Sequence, residues 1–312
     1  MKQYKKIFLL FLFIVCLSIL IAPMVKALLD TFVVSSPFIT NLLRYQEGSY
    51  DFGKVMRRIM MAVAIITIFV FRKSLMIGSL STMNLRRTQD WWKQLQTGFF
   101  LGAGIFCFYI AFLYAAEARI IHTETRSWND ILLKITGALF VALLVACIEE
   151  IFFRGFLFQS LLKDMPAVLA VCITSTFYSL LHFLKIKLAV TPGIQPFVGF
   201  MVFYEFLKNL IINFPVLYPS IIGLFLVGVV LSYACLRTNS LYLAIGLHAG
   251  WVFLIKADRL FFERVKGNNE WLFGDNDVVT GMLAWLFMII TLIIIRYITV
   301  PIPGKTVPPV KY

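Results

Sequence analysis

Long apolar blocks, separated by shorter polar connections, follow one another along almost the whole chain. Most blocks approach the ~20 residues that a helix needs to cross ~30 Å of hydrocarbon. The pattern therefore predicts an all-α polytopic membrane protein, a bundle of about eight transmembrane helices in a single integral membrane domain, residues 1–312. The predicted spans are residues 7–25, 59–71, 98–116, 135–162, 167–184, 219–236, 241–255 and 279–295.

Three features leave the topology open. The first block follows Lys2, Lys5 and Lys6 and ends near "APMVKA", a pattern that also fits a signal peptide. Residues 197–214 form an apolar stretch within a polar connection, which favours an interfacial or re-entrant helix and leaves a ninth span open. Basic residues divide almost evenly between the two sides of the membrane and do not decide the orientation. Our orientation, with both termini inside, rests on the uneven distribution of acidic residues, which is a weaker signal.

Composition agrees with the membrane assignment. The chain is 60% hydrophobic and 14% charged, whereas soluble domains are about 45–50% apolar. The net charge of +13 comes from basic residues scattered between apolar spans, without a patch interleaved with aromatics, so we expect no nucleic-acid partner. The five cysteines lack metal-type spacing and are interpreted as small buried apolar residues.

Charged residues interrupt the fourth predicted span, in the stretch "VACIEEIFFRGFLF". Each charge inside a bilayer costs at least ~2.5–3.5 kcal/mol on insertion scales, which favours a functional role. Glu150 and Arg154 are four residues apart with the acid first, the favourable order for an ion pair on one helix face. Glu149 lies about 100° further round the helix in an apolar setting suited to general-base chemistry. The alternative is that both glutamates only neutralise basic residues or line a transport path.

Two of the three histidines lie in apolar spans: His182 and His248, whereas His122 lies in a loop. If a turn at residues 163–166 joins two antiparallel helices, Glu149 and His182 lie ~21 and ~24 Å from it, at one depth. His248 lies on a third helix, within the small-residue setting "AIGLHAGW", which allows close helix approach. The three side chains are therefore predicted to converge.

An acid and two imidazoles inside a membrane indicate hydrolysis. Glu149 and His182 would activate water, and His248 would donate a hydrogen bond to the developing oxyanion. In the rival chemistry, Glu149, His182 and His248 hold Zn²⁺ and leave a fourth position for water. The chain lacks H-E-x-x-H, which makes the zinc signature the weaker one.

Three short motifs resemble a known signature. "EEIFFR", "YSLLH" and "HAGWV" follow one another within residues 135–255. They resemble E-E-x-x-x-R, F-x-x-x-H and H-x-x-x-N of the CPBP family (CAAX protease and bacteriocin-processing). That family includes the type II CAAX prenyl endopeptidases, such as the eukaryotic Ras-converting enzyme.

The resemblance implies an eight-helix intramembrane endopeptidase of the glutamate type, often labelled a metalloendopeptidase. By position, Glu149 matches the catalytic glutamate, His182 the histidine that helps to activate water, and His248 the oxyanion-stabilising histidine. Substrates would be membrane-attached or lipidated proteins or peptides. The chain would be a multi-pass protein of the bacterial cytoplasmic membrane, requiring no cofactor, with Zn²⁺ as the alternative.

Two positions depart from the signature. Tyr178 replaces a phenylalanine, interpreted as a small change in ring packing, and Val252 replaces the asparagine expected to share the oxyanion hole. The Trp251 N–H or Lys256 are possible substitute donors. Val252 also favours a second hypothesis, a catalytically impaired membrane scaffold or bacteriocin-immunity protein. A transporter or channel is disfavoured because the chain has no repeated halves.

Overall fold

Helices dominate the structure, a computed structural model. It describes residues 2–33, 35–43, 45, 48–71, 83–85, 89–121, 127–183, 188–265, 267, 269–274 and 278–299. His122 therefore lies outside the described residues. In chain order the elements are α1 (Gln3–Val33), α2 (Pro37–Leu43), β1 (Tyr50–Asp51), α3 (Phe52–Phe71), α4 (Trp91–Ala115), β2 (Arg119–Ile121), α5 (Trp128–Glu150), a π-helical segment (Ile151–Phe158), α6 (Gln159–Leu161), α7 (Ala167–His182), β3 (Ala189–Val190), α8 (Val198–Ile212), α9 (Phe214–Thr238), α10 (Tyr242–Phe261), β4 (Phe262–Arg264), α11 (Glu270–Phe273) and α12 (Met282–Ile298).

Four helical segments of the described residues are long and apolar enough to cross a membrane. They are Gln3–Val33, Trp91–Ala115, Trp128–Leu161 and Phe214–Thr238. Shorter apolar helices are α7 and α12. Each predicted span coincides with a helix, so the all-helical prediction is confirmed, whereas the count of about eight spans stays a prediction.

The chain forms two compact units. Unit 1 comprises Met1–Met76 and Leu180–Tyr218, and unit 2 comprises Ile77–Ser179 and Pro219–Tyr312. In unit 1, α1 packs against α3 and α8, and β1 pairs with β3 in an antiparallel ladder. In unit 2, α10 packs against α4 and α5, and β2 pairs antiparallel with β4.

The predicted spans 7–25 and 59–71 leave residues 26–58 as the first polar connection, and the helices extend into it from both sides. Helix α1 continues to Val33, and α3 begins at Phe52. Hydropathy placed the helix end at the charge of Lys26. The helix passes this residue because the ammonium group is buried and fully paired.

Lys26 forms a polar cluster within unit 1. Its ammonium donates to the Asp30 carboxylate at 2.7 Å and to the carbonyls of Thr191 and Gly193 at 2.9 and 2.8 Å. Asp30 also accepts a hydrogen bond of 2.7 Å from the Tyr50 hydroxyl. Burial and this carboxylate raise the pKa of Tyr50 above its ordinary value. All three ammonium protons are thus used, and the cluster fastens the chain around residues 191–193 to α1.

Glycines hold α4 and α10 in backbone contact within unit 2. Gly98 and Gly102 of α4 lie against the backbone of Leu247 and its neighbours on α10. In return, Gly246 and Gly250 lie against the backbone of Phe99 and its neighbours on α4. Small residues four apart on both helices permit this approach. The small-residue setting predicted around His248 is therefore confirmed.

The crossing of α4 and α10 gives a stability prediction. A methyl group at Gly102 would meet the Leu247 carbonyl, whereas one at Gly104, in the same helix, meets no atom within 4 Å. We expect Gly102→Ala to destabilise unit 2 by about 1–3 kcal/mol through overpacking. Gly104→Ala should be neutral or slightly stabilising, because alanine is the better helix former. Thermal unfolding in detergent compares the two, and equal midpoints would refute the packing argument.

Candidate active site

A change of helical geometry marks the site. Glu149 and Glu150 are the last residues of α5, and the π-helical segment Ile151–Phe158 begins directly after them. π-Helical turns bond i to i+5 and occur frequently at functional sites. The chain remains helical to Leu161, so the charged residues lie within one continuous 34-residue helical segment.

Glu150 and Arg154 form a fully buried ion pair. The guanidinium Nη1 donates to Glu150 Oε1 at 2.9 Å, and neither side chain is exposed. The second guanidinium nitrogen, Nη2, donates to the Gly228 carbonyl on α9 at 3.2 Å. The ion pair predicted from the four-residue spacing is confirmed. An unpaired charge at such depth would be costly, so each charge depends on the other.

His248 joins this pair from α10. Its Nδ1 lies 2.8 Å from Glu150 Oε1. Because Glu150 also accepts from Arg154, it acts as an ionised acceptor, and Nδ1 carries the hydrogen of the shared bond. The glycines Gly246 and Gly250 face α4, and a residue two positions from each lies on the opposite side of α10. His248 therefore points away from α4 and towards α5.

The second ring nitrogen of His248 faces Glu149. The separation between Nε2 and Glu149 Oε2 is 3.9 Å, and the Glu149 side chain is 28% exposed, whereas Glu150 is not exposed at all. The two adjacent glutamates thus differ in access and in partners. Part of the Glu149 side chain is exposed, although its Oε2, the oxygen nearest to His248, is buried, and Glu150 fixes the imidazole.

Tyr178 completes the cluster from α7. Its buried ring lies 4.6 Å from the Arg154 guanidinium carbon, and its centroid lies 5.0 Å from that of Phe153 and 6.3 Å from that of His248. The interpretation of Tyr178 as a change in ring packing agrees with these ring contacts.

The other predicted residues have different placements. His182 ends α7, is half-buried and belongs to unit 1, and its pairing with Glu149 stays a prediction. Trp251 is buried, and within the described part of the chain its indole Nε1 meets no hydrogen-bond acceptor. Val252 is half-buried, and Lys256 is exposed. Val252 has no side-chain hydrogen-bond donor.

The donor set for a metal is limited. Across the ranges that the structure describes, no group of three or more His, Cys, Asp or Glu side chains is arranged to hold a metal ion. Glu150 Oε1 is shared between Arg154 and His248, and all five cysteines are free thiols.

Comparison with known protein families finds one match, and it covers the part of the chain that contains the site. Residues 131–254 match the family model described as type II CAAX prenyl endopeptidase Rce1-like. The chain carries an Rce1-like domain. No curated protein and no solved structure matches the chain. The Rce1-like region runs from α5 into α10 and includes all the site residues named above except Lys256, so the resemblance expected from the three motifs is confirmed.

The Rce1-like domain and the apolar helices together indicate an integral membrane protein. At the level of the family, the match supports a CAAX-type intramembrane protease. Sequence reasoning missed the contact between His248 and Glu150. These residues are 98 positions apart, and no local spacing rule connects two separate helices.

Proposed function

We propose that the chain is an intramembrane endopeptidase of the glutamate type, in which Glu149 activates a water molecule and His248 stabilises the oxyanion. One observation carries the proposal: Glu150 holds His248 by Nδ1, and Nε2 faces the carboxylate of Glu149, whose side chain is partly exposed. A general base and a hydrogen-bond donor are thereby placed side by side in an apolar helix bundle.

The proposed reaction is hydrolysis of a peptide bond. Glu149 accepts a proton from water as the water oxygen bonds to the scissile carbonyl carbon. The carbonyl π electrons move to the carbonyl oxygen, and protonated His248 donates a hydrogen bond to this oxyanion through Nε2–H. Collapse of the tetrahedral intermediate breaks the C–N bond, and the proton held by Glu149 passes to the leaving amine.

Glu150 and Arg154 have a supporting role in this proposal. The Glu150 carboxylate is bonded to His248 Nδ1 and orients the imidazole, and the Arg154 guanidinium supplies the countercharge of this carboxylate in an apolar setting. His182 assists the activation of water, as its place in the second motif implies. Trp251, with a buried indole N–H, is the further candidate donor to the oxyanion in place of the asparagine that Val252 replaces.

Substrates and setting belong to the same proposal. The substrate is a membrane-attached or lipidated protein or peptide, cleaved near the membrane surface. The matching family is described as type II CAAX prenyl endopeptidases, and a prenylated peptide is therefore the first probe. The protein acts as a bundle of about eight spans in a bacterial cytoplasmic membrane.

Metal removal gives a direct prediction. We expect cleavage to be unchanged by a strong chelator, because no step above needs a Lewis acid. The alternative is a zinc-dependent form of the same hydrolysis, with Glu149, His182 and His248 as ligands. Cleavage by purified protein is measured before and after chelation, then with zinc restored. Loss of activity that zinc restores would favour the alternative.

A second candidate function is a catalytically impaired scaffold or immunity protein that binds membrane peptides. It is favoured by Val252, which provides no side-chain donor to an oxyanion. Loss of one such donor costs about 10²–10³ in rate. The two functions differ in turnover: an enzyme releases products, whereas a scaffold binds peptide without cleaving it.

The experiment that tests the proposal uses the full chain in proteoliposomes. The probe is a farnesylated peptide that ends in Cys-aliphatic-aliphatic-X and carries a fluorophore and a quencher; an unlipidated copy and a transmembrane peptide serve as comparison probes. We expect cleavage by the wild type and a decrease of about 10²–10³ in kcat for His248→Gln. If the probes bind without any cleavage, the scaffold function is favoured and the enzyme function is refuted.

A further inference from the structure

A groove in unit 1 combines apolar walls with one cationic side chain. It lies between α3 and α8, which pack against each other, and it encloses about 300 Å³. This volume is at the lower end of the range of small-molecule sites. We propose that the groove binds an anionic phospholipid, with an acyl chain along the apolar walls and the phosphate on Arg57. The inference goes beyond the proposed function, because no group of the candidate active site takes part.

Apolar side chains of both helices form the walls of the groove. Met56 and Met60 are four residues apart on α3, so they lie on one helix face. Phe203 and Phe206 line the groove from α8, with ring centroids 6.4 Å apart. Methionine side chains adapt to irregular apolar partners, and aromatic rings provide a large apolar area. These walls therefore suit a flexible hydrocarbon chain.

Arg57 supplies the charge in the groove, and its side chain is half-buried there. The preceding cation of α3, Lys54, is paired with Asp51 at 3.5 Å. The acid of α8, Glu205, is paired with Lys208. Arg57 belongs to no ion pair among the described residues of unit 1. Its guanidinium can therefore bind an external anion, and its planar set of donors matches a phosphate group.

The position of Arg57 along α3 suits a lipid headgroup. Arg57 and Arg58 are the last charged residues of this helix, and residues 59–71 carry no charge. Within that apolar part, the side chains of Ile65 and Ile66 are exposed. In an integral membrane protein, an exposed apolar stretch lies in hydrocarbon, and basic residues at its end lie at the level of the headgroups. Basic pockets between helices bind anionic headgroups at this level.

The net charge of the headgroup decides which phospholipid is favoured. Every phospholipid carries a phosphate, but the ammonium of a zwitterionic headgroup opposes its attraction to a guanidinium. One basic side chain near the membrane surface favours an anionic lipid by about 5-fold in affinity. We therefore expect phosphatidylglycerol to bind about 5-fold more tightly than phosphatidylcholine.

The first test compares the affinities of these two lipids for variants of the full chain. Delipidated protein in detergent is titrated with dioleoylphosphatidylglycerol or dioleoylphosphatidylcholine, and native mass spectrometry reports the bound lipid. We expect Arg57→Gln to bind phosphatidylglycerol about 5-fold more weakly than wild type and to lose the preference. Arg58→Gln is the matched control, because Arg58 carries the same charge at the next position but is exposed and does not line the groove. It should keep its affinity within a factor of two.

A second test locates the lipid on the wild type and needs no variant. Phosphatidylglycerol with a diazirine on its acyl chain is photolysed on the protein, and peptide mass spectrometry identifies the labelled residues. We expect excess phosphatidylglycerol to reduce labelling of Phe203 and Phe206 about 5-fold more than excess phosphatidylcholine does. Labelling of the exposed Ile66, which is not in the groove, should decrease equally with both lipids.

Several outcomes would overturn the lipid site. Equal affinities of the two lipids for wild type, or equal losses in Arg57→Gln and Arg58→Gln, would do so. Equal competition by both lipids at Phe203 and Phe206 would reduce the contact to ordinary solvation by the bilayer. Displacement by the farnesylated peptide but not by phosphatidylglycerol would assign the groove to a prenyl chain.

Stability and activity are separated from this test. Unfolding midpoints of the lipid-free variants show whether Arg57→Gln keeps its structure, and if it does not, photolabelling of the wild type decides the proposal. None of these measurements uses peptide cleavage. Failure of the proposed function would therefore leave the expected lipid affinities and labelling unchanged.

Discussion

Replacing Glu149 by glutamine is expected to lower kcat for the farnesylated probe by about 10²–10⁴-fold, the usual contribution of a general base. The amide keeps the size of the side chain. It cannot take a proton from water at neutral pH. The fold should be retained, because Glu149 is partly exposed and does not form the buried ion pair.

The control for this prediction is Glu205→Gln. Glu205 lies on α8 in unit 1, in an exposed pair with Lys208, and its change should leave kcat unaltered. Unfolding midpoints of wild type and both variants show whether activity is lost without loss of structure. A Glu149→Gln enzyme with wild-type kcat would eliminate this glutamate as the base and, with it, the proposed mechanism.

Replacing Arg154 by methionine is expected to destabilise the protein by about 3–5 kcal/mol, the largest effect on stability that we predict. Methionine fills much of the same volume but leaves the Glu150 carboxylate with His248 as its remaining described partner. It also removes the donor to the Gly228 carbonyl, which lies on α9. A buried carboxylate that loses its counterion pays most of its desolvation cost.

Lys208→Met is the matched control, because it also removes one cation from an acid–base pair on a helix. Both Lys208 and Glu205 are substantially exposed, so we expect a change within about 1 kcal/mol. The double variant Glu150→Gln/Arg154→Met should recover part of the loss, since no unpaired charge remains. Thermal unfolding in detergent gives all these differences. Equal midpoints for Arg154→Met and Lys208→Met would contradict the buried pair.

The parts of the site that lie within one helix could be predicted from the sequence. Glu150 and Arg154 are four residues apart, so ordinary helix geometry brings them together. The distinction between Glu149 and Glu150 also followed from their angular separation on one helix. The small residues around His248 predicted a close helix crossing, and α4 provides it.

Contacts between helices could not be predicted in this way. The hydrogen bond between His248 and Glu150 depends on how α10 is rotated about its axis relative to α5. The residue period within one helix does not specify this rotation. The π-helical segment after Glu150 changes the residue spacing at the point where a period of 3.6 was assumed.

Hydropathy also failed at Lys26, for an electrostatic reason. A lysine normally marks the end of an apolar span, and the predicted helix therefore stopped one residue before it. Asp30, one turn later, and two carbonyls near residue 191 neutralise and solvate this ammonium inside the protein. The two carbonyls belong to residues more than 160 positions further along the chain. A hydropathy pattern does not register such a distant contact.

The glycine contacts between α4 and α10 have a consequence for how the protein responds to its lipids. Helices adapt to a thicker or thinner bilayer by tilting. Because Gly246 and Gly250 flank His248 and hold its helix in backbone contact with α4, these two helices must tilt together. The imidazole then keeps its height relative to α4 whatever the acyl-chain length. We expect kcat to vary little between vesicles of short-chain and long-chain lipids.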